Sequence, residues 1–508
     1  MAVTSSSALG LSYKSSSGRW VLLATILGSA MASIDATVVG IALPAIGRDF
    51  HASLSTLQWV VTAYTLTLAG LLLFAGSLGD RYGRKKIFLI GVVWFAVASA
   101  ICGVALNAPM LIVARAVQGI GAALLTPGSL AIIEASFREE DRSKAIGAWT
   151  GFAGVGTAIG PFLGGWLIAA VSWRLIFIIN LPFAAVVLLV GLWHVPESRA
   201  PDDSGKLDVS GAALVTFGLI GLTYGLIEGP ASGWGKPLTL IALTLGVALL
   251  AGFVVRERRA SAPLLRLSMF ASAEFSAANA VTFVVYGALG GALFLLPIQL
   301  EQVSGYTAIE AGISLLPVTL IMLLLSARSG ALAARIGPRL QMSVGPVVIG
   351  IGLVLLARIG SSGSYVTDVL PAVLVFGFGL AINVAPLTAT VLAAAPAESA
   401  GMASAVNNDV ARAAGLIAVA VLPAAAGLGG SAYLNAHLFS AGFRTAVFIS
   451  AGLCILAGGL AALTIRNPRR AGPPREQYNL HCGLDAPPSL ANGQTVAGTA
   501  ATGRRARR

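Results

Sequence analysis

The chain has 508 residues, 56% of them hydrophobic and only 11% charged. A soluble domain carries about 25% charged residues, so this composition excludes a soluble globular protein and points to a polytopic membrane protein. The net charge of +12 does not signal nucleic acid here, because the basic residues fall between apolar runs and in the tail, where they orient helices in a bilayer.

Residues 1–19 form an N-terminal segment, expected in the cytoplasm, ahead of the first apolar run at 20–43, which follows Lys14 and Arg19. That run is 24 residues long with Asp35 in its interior. It is too long and too polar for a signal-peptide core, and no small-residue cleavage site follows it. It is expected to span the bilayer, which takes about 20 apolar residues. Spans over 55–75, 87–106, 110–134, 145–170 and 173–193 complete an N-terminal six-helix bundle, 20–193. A polar cytoplasmic linker, HVPESRAPDDSGKLD, occupies 194–208. Spans 209–229 and 237–256 make an inserted pair, 209–256, followed by a second cytoplasmic linker, 257–273. A C-terminal six-helix bundle, 274–465, holds spans 274–300, 309–333, 341–360, 366–393, 402–425 and 443–465. Residues 466–508, rich in Pro, Gly, Arg and Ala without periodicity, are expected to be a disordered cytoplasmic tail. The fold class is all-α integral membrane, with fourteen transmembrane helices.

Fourteen is even, so both ends lie on one side. With the N-terminus inside, 25 Lys and Arg fall in inner segments and five (Arg48, Arg174, Lys236, Arg358 and Arg444) in outer ones. Arg115, Arg328 and Arg412 fall within spans. This bias places both termini in the cytoplasm of a cell whose plasma membrane the chain crosses many times. The three cysteines, Cys102, Cys454 and Cys482, are scattered without ligand or disulfide spacing, and the first two read as packing residues.

Residues 76–86, GSLGDRYGRKK, put five charges (Asp80, Arg81, Arg84, Lys85 and Lys86) into a turn between two apolar spans. Topology explains the positive residues but not Asp80 or the spacing. Glycines such as Gly76 and Gly83 let two helix ends approach closely. A carboxylate at Asp80 can bond to a neighbouring helix N-terminus or to an Arg. The turn also repeats. GSLGDRYGRK at 76–85 aligns with GALAARIGPR at 330–339, an offset of 254. Leu43-Pro44 aligns with Leu296-Pro297 at an offset of 253, and Gly119-Ile-Gly121 with Gly377-Phe-Gly379 at 258. Internal symmetry of this kind marks secondary transporters. The second copy has Ala334 for Asp80 and Pro338 for Arg84, so the halves are not equivalent.

Taken in order, these stretches resemble the major facilitator superfamily, and within it the fourteen-span drug:proton antiporters. GSLGDRYGRKK is similar to that superfamily's cytoplasmic signature turn. LIVARAVQGIGAALL at 111–125, with Arg115, Gln118, Gly119 and Gly121, resembles its span-4 motif, and GVGTAIGPFLGGWL at 154–167 its span-5 antiporter motif. IDATVVGIALPAI at 34–46 resembles the span-1 motif of drug exporters, with Gly40 where the family usually has Asn. NNDVARAAG at 407–415, with Asn407 and Arg412, resembles a span-13 pattern of the fourteen-span group. The resemblance covers about 20–465 and implies the major facilitator fold, proton-coupled exchange, and substrates such as dyes, quaternary ammonium compounds and antibiotics.

Asp35 is the leading proton-coupling candidate, since a carboxylate inside a span is costly and signals function. Such a group must be charged facing one side and neutral facing the other, and burial makes that switch possible. Static pairing with a cation, or binding of a cationic drug, are the other readings. Arg115 lies at a similar depth, which permits a pair. The resemblance gives it a role in proton transfer, and because an Arg keeps its proton that role is to tune a carboxylate. Glu134, at the inner end of span 4, and Asp409 are further proton candidates. Asp409 and Arg412, three apart on one helix face, can also neutralise each other. Asp80, Arg81 and Arg84 read as a cytoplasmic latch holding the outward-open state, or as topology signal alone. Gly156, Gly160, Gly164 and Gly165 suit close helix packing, and Pro161 removes a helix hydrogen bond and bends the span. The resemblance adds that this motif implies exchange.

No metal cluster, nucleophile arrangement or phosphate loop of the GxxxxGK[ST] type is visible, so neither an enzyme nor an ATP-driven pump is expected. No cofactor is expected beyond the proton as coupling ion. The expected partners are protons, lipid and a small amphipathic or cationic substrate, with the protein a monomer. The alternatives are an exporter dedicated to one metabolite or antibiotic, an importing symporter, and a non-transporting sensor.

Overall fold

The computed structural model describes residues 10–199, 207–361, 363–396, 399–429, 433 and 435–467. Among them the chain is helical: α1 (Ser16–Asp49), α2 (Leu54–Tyr82), α3 (Arg84–Gly103), α4 (Ala108–Ser136), α5 (Glu139–Ala170), α6 (Leu175–Ile178), α7 (Asn180–His194), α8 (Val209–Ser232), α9 (Pro237–Arg259), α10 (Ala273–Ile298), α11 (Ala308–Ser314), α12 (Leu316–Ile336), α13 (Arg339–Leu356), α14 (Leu370–Ala393), α15 (Ala400–Ala425) and α16 (Ala436–Thr464). A 3-10 turn, Leu267–Ala271, precedes α10, and π-helical turns occupy Gln299–Val303 and Tyr365–Val369. The tail expected beyond 467 lies outside the described residues.

Thirteen helices are long and apolar enough to cross a membrane among the described residues. The span expected over 145–170 is α5, 32 residues long, whose first turns carry Glu139, Glu140 and Asp141 and whose apolar stretch by the same measure is Ile159–Ala170. Several expected boundaries move. α1 runs through Pro44 to Asp49 rather than ending at 43, while Pro297 lies inside α10, within the span expected over 274–300. A proline is tolerated inside a bundled transmembrane helix because neighbouring groups satisfy the freed carbonyl. The spans expected at 173–193 and 309–333 are each two helices, α6–α7 and α11–α12.

The charged turn is tighter than the sequence suggests. Asp80 and Arg81 belong to α2, Arg84 to Lys86 to α3, and Gly83 alone joins them at φ +113°. Only glycine takes that conformation without strain. Three cations at the start of α3 oppose its dipole. The opposition is relieved by Glu197, just past α7, whose carboxylate accepts the backbone N–H groups of Lys85 (3.0 Å) and Lys86 (3.1 Å). The end of the molecule bearing this turn is called here the basic face.

The core has two principal parts. One lies within α1–α7, from Val21 to Val195, toward the basic face. The other joins the far ends of α1, α2 and α4 (Ile34 to Ile46, Leu54 to Val60, Leu111) to α10 and α13–α16. Continuous apolar packing between the two halves of the chain is thus concentrated at the face opposite the basic one. A small third cluster of Leu66, Leu219 and Leu416 seats α8 against α2 and α15.

Candidate functional site

α1 places Asp35 on its buried side, in the interior of the bundle, where it is 1% exposed. Arg115 of α4, also 1% exposed, donates from Nη1 to Asp35 Oδ2 at 2.5 Å. Gln118, one turn further along α4, donates from Nε2 to Asp35 Oδ1 at 2.8 Å and accepts from Arg115 Nη1 at 2.7 Å. Asn180, at the first position of α7, donates to Asp35 Oδ1 (3.3 Å) and to Ser99 Oγ of α3 (3.0 Å). Ser99 in turn donates to the Phe177 carbonyl of α6 at 2.9 Å. The guanidinium also donates from Nε to the Val60 carbonyl (3.2 Å) and lies 4.3 Å from the centroid of the Tyr64 ring. Five helices (α1, α2, α3, α4 and α7) therefore converge on one carboxylate and one cation, fully desolvated and neutral as a pair.

The depth match between Asp35 and Arg115 was legible, and the structure brings them together with Gln118. Asn180 and Ser99 were missed. Their signal was the one that singled out Asp35: a polar side chain inside an apolar run. Glu134 stands apart, half-buried at the basic end of α4, nineteen residues and about 28 Å along the helix from Arg115. Asp409 and Arg412 lie half-buried on α15, but no ion pair joins them. Asp409 Oδ1 and Arg412 Nε are buried without hydrogen-bond partners. Positions three apart diverge by about 60° around a helix, so the spacing permits a pair without enforcing it. Asn407 donates to Asn279 Oδ1 (3.1 Å) and Thr282 Oγ1 (2.8 Å) of α10, away from the Asp35 cluster.

The glycine stretch of α5 packs as its spacing predicts. A Cβ at Gly156 would stand 3.2 Å from Ala30 Cβ, and one at Gly164 2.9 Å from Val38 Cγ1, both on α1. Gly160 faces Thr37 and Ile34 of α1, Gly165 faces Ala308 and Ile309 of α11, and Pro161 lies inside the helix with its carbonyl against Gly312. Gly40 is different: a Cβ there would meet nothing within 4 Å, so α1 opens onto free space one and a half turns from Asp35.

At the basic face Asp80 pairs with Arg84 inside its own turn, at 2.8 Å, and Arg84 also donates to the Ala131 carbonyl of α4 at 3.3 Å. Gly76 approaches Pro127 of α4, while Arg81 is exposed beside the Tyr82 ring. Of the two partners open to Asp80, an Arg or a neighbouring helix N-terminus, it takes the Arg, and the N-terminus of α3 is capped by Glu197 instead. Nearby, Asp208 caps α8 through the Gly211 N–H (2.9 Å) and meets Arg256 of α9 at 3.3 Å. Burial pushes Asp208 upward, but the Gly211 amide, the Ser210 hydroxyl and the Arg256 guanidinium together hold it below its ordinary value.

Residues 25–420 match the family model described as the Major Facilitator Superfamily. A tetracenomycin C resistance and export protein of Streptomyces glaucescens is 37% identical over 79% of this chain and 74% of its own length. The multidrug resistance protein Stp of Mycobacterium tuberculosis is 38% identical over 82% and 77%, and a puromycin resistance protein of Streptomyces alboniger 33% identical over 88% and 91%. In fold, the chain is similar to a bacterial homologue of the human lysosomal transporter Spinster, with a TM-score of 0.64, 18% identity, and coverage of 89% of this chain and 97% of that one.

Proposed function

The chain belongs to the Major Facilitator Superfamily, and from that premise we propose that it is a proton-coupled antiporter exporting amphipathic small molecules by alternating access. The observation that carries this reading is the buried Asp35–Arg115 pair. Arg115 keeps its charge under all conditions, so only Asp35 can exchange a proton. When Asp35 is protonated the cation loses its counter-charge, and the packing of α1 against α4 weakens. α1 also carries Gly40, beside open space, and another of its sides rests on the glycine stretch of α5. A proton on Asp35 therefore acts on the helix that borders the free volume a substrate would occupy.

The rest of the reading follows. The basic face is cytoplasmic by its Arg and Lys content, and the protein resides in the cell membrane as a monomer. α5 counts as a span, which makes fourteen, with two bundles at 20–193 and 274–465 and an inserted pair at 209–256. With the halves packed together at the far face, the conformation is inward-facing. Asp80, held by Arg84 within its own turn, is then a latch in its released position. A second reading, an exporter dedicated to one antibiotic, is favoured by relatives named for single compounds, tetracenomycin C and puromycin.

Efflux from cells expressing the protein tests both. Export of several cationic dyes, abolished by a protonophore, is the expected result. Export of one antibiotic and no dye selects the dedicated exporter. Efflux that survives collapse of the proton gradient contradicts proton coupling.

A further inference from the structure

Arg48, in the last turn of α1, and Glu301, in the π-helical turn after α10, form an ion pair at 3.3 Å. They are 253 residues apart, the same offset that aligns Leu43-Pro44 with Leu296-Pro297. The two are therefore equivalent positions of the two repeats. Equivalent positions touch only close to the axis relating the repeats, as in any two-fold contact. Opening the halves at that end must separate them. The surroundings are closed: Tyr433 Oη, which accepts from Gln302 Nε2 at 2.8 Å, lies against Gly47, and Gln58 Nε2 of α2 donates to the Val419 carbonyl of α15 at 2.6 Å.

The pair is lopsided. The Glu301 side chain is 2% exposed and that of Arg48 60%. Glu301 Oε2 holds Arg48, while Oε1 is buried without a partner. Resting on the inward-facing antiporter reading above, we propose that Arg48–Glu301 is the extracellular gate and that Glu301 is a second proton-binding site, loaded from outside, whose protonation releases the gate. A proton from external water adds to Oε1, where it displaces no existing bond. The carboxyl becomes neutral, and Arg48, already mostly in water, is freed at little cost. Other titratable groups on the elements packed there do not compete. Glu310 of α11 is taken up in a capping box with Thr307, His51 just past α1 and His437 and Arg444 of α16 are exposed to solvent, and Asp49 is held by Trp173 and Arg174. Tyr433 contributes a hydroxyl and no charge.

The test measures the distance between spin labels at Leu106→Cys and Ser361→Cys, one exposed position in each half, on the full chain in nanodiscs with the native cysteines replaced. The expected result is a long-distance population that grows severalfold as pH falls from 8 to 5. Glu301→Gln should show the long distance at every pH, as should Arg48→Ala, which covers the case in which Glu301→Gln does not fold. The double charge swap R48E/E301R should restore the short distance. The pH response should persist in Asp35→Asn, which separates this site from the Asp35 cluster. A distance that ignores pH in the parent, or a pH profile in Glu301→Gln like the parent's, overturns the proposal. Absence of transport with the distance response intact would count against the exporter reading and leave the gate standing.

Discussion

Asp35→Asn keeps the shape of the side chain and removes its charge. Arg115 is then a buried cation, 1% exposed, with a carbonyl, Gln118 Oε1 and the Tyr64 ring for company. Removing one partner of a buried ion pair costs about 3–5 kcal/mol. The Asn oxygen still accepts a hydrogen bond from Arg115, which returns about 1 kcal/mol, so the expected loss is about 2–4 kcal/mol. Arg115→Gln should cost a similar amount for the mirror reason, leaving Asp35 with only amide donors at 2.8 and 3.3 Å. The double variant strands no charge, and its cost should fall short of the sum by about 2–3 kcal/mol. Denaturant unfolding in detergent micelles, followed by tryptophan fluorescence for all four proteins, reads the cycle. Single-variant costs that add to within about 0.5 kcal/mol would refute the idea that the two residues act as one neutral unit.

Three further outcomes are expected. Asp80→Asn should depress transport while leaving membrane insertion and folding intact, as read by efflux beside detergent-extracted yield; full activity counts against the latch. Glu197→Gln removes a charge from the α3 N-terminus and should cost about 1 kcal/mol, seen as faster hydrogen exchange at the Lys85 and Lys86 amides, and unchanged exchange there would show that the cap is incidental. Asp208, held below its ordinary value, contributes stability that is fully present above the unfolded carboxyl value and is lost as pH falls through the folded one. Protection of the Gly211 amide should therefore hold from pH 7 to 5 and fade only below about pH 4; loss by pH 6 contradicts the assignment.

Helix positions were legible because 20-residue apolar runs have few alternatives in a bilayer. Their ends were less so. Pro44 looks like a terminator, yet the surrounding bundle carries α1 past it to Asp49. Asp35 and Arg115 were readable as a pair because each is an isolated charge in an apolar run at matching depth. Asn180 and Ser99 were not, because an amide or a hydroxyl in a span usually satisfies itself on its own helix, and only the fold shows that α3 and α7 aim these two at one carboxylate. Glu197 was hidden for another reason. Its partners are backbone N–H groups over a hundred residues away, and backbone donors leave no trace in side-chain chemistry. The same holds for Glu301, whose meaning appears only when the repeat offset is laid over the observed contact with Arg48.

The central claim, that a proton moves against a substrate through Asp35, is tested most directly in liposomes. The purified protein and its Asp35→Asn variant are reconstituted, an inside-acid gradient is imposed, and uptake of a cationic dye is followed. The account predicts gradient-dependent uptake by the parent and none by a folded Asp35→Asn variant. Equal, gradient-dependent uptake by both would contradict it and move the coupling proton to another carboxylate, with Glu301, Asp409 and Glu134 the next to test.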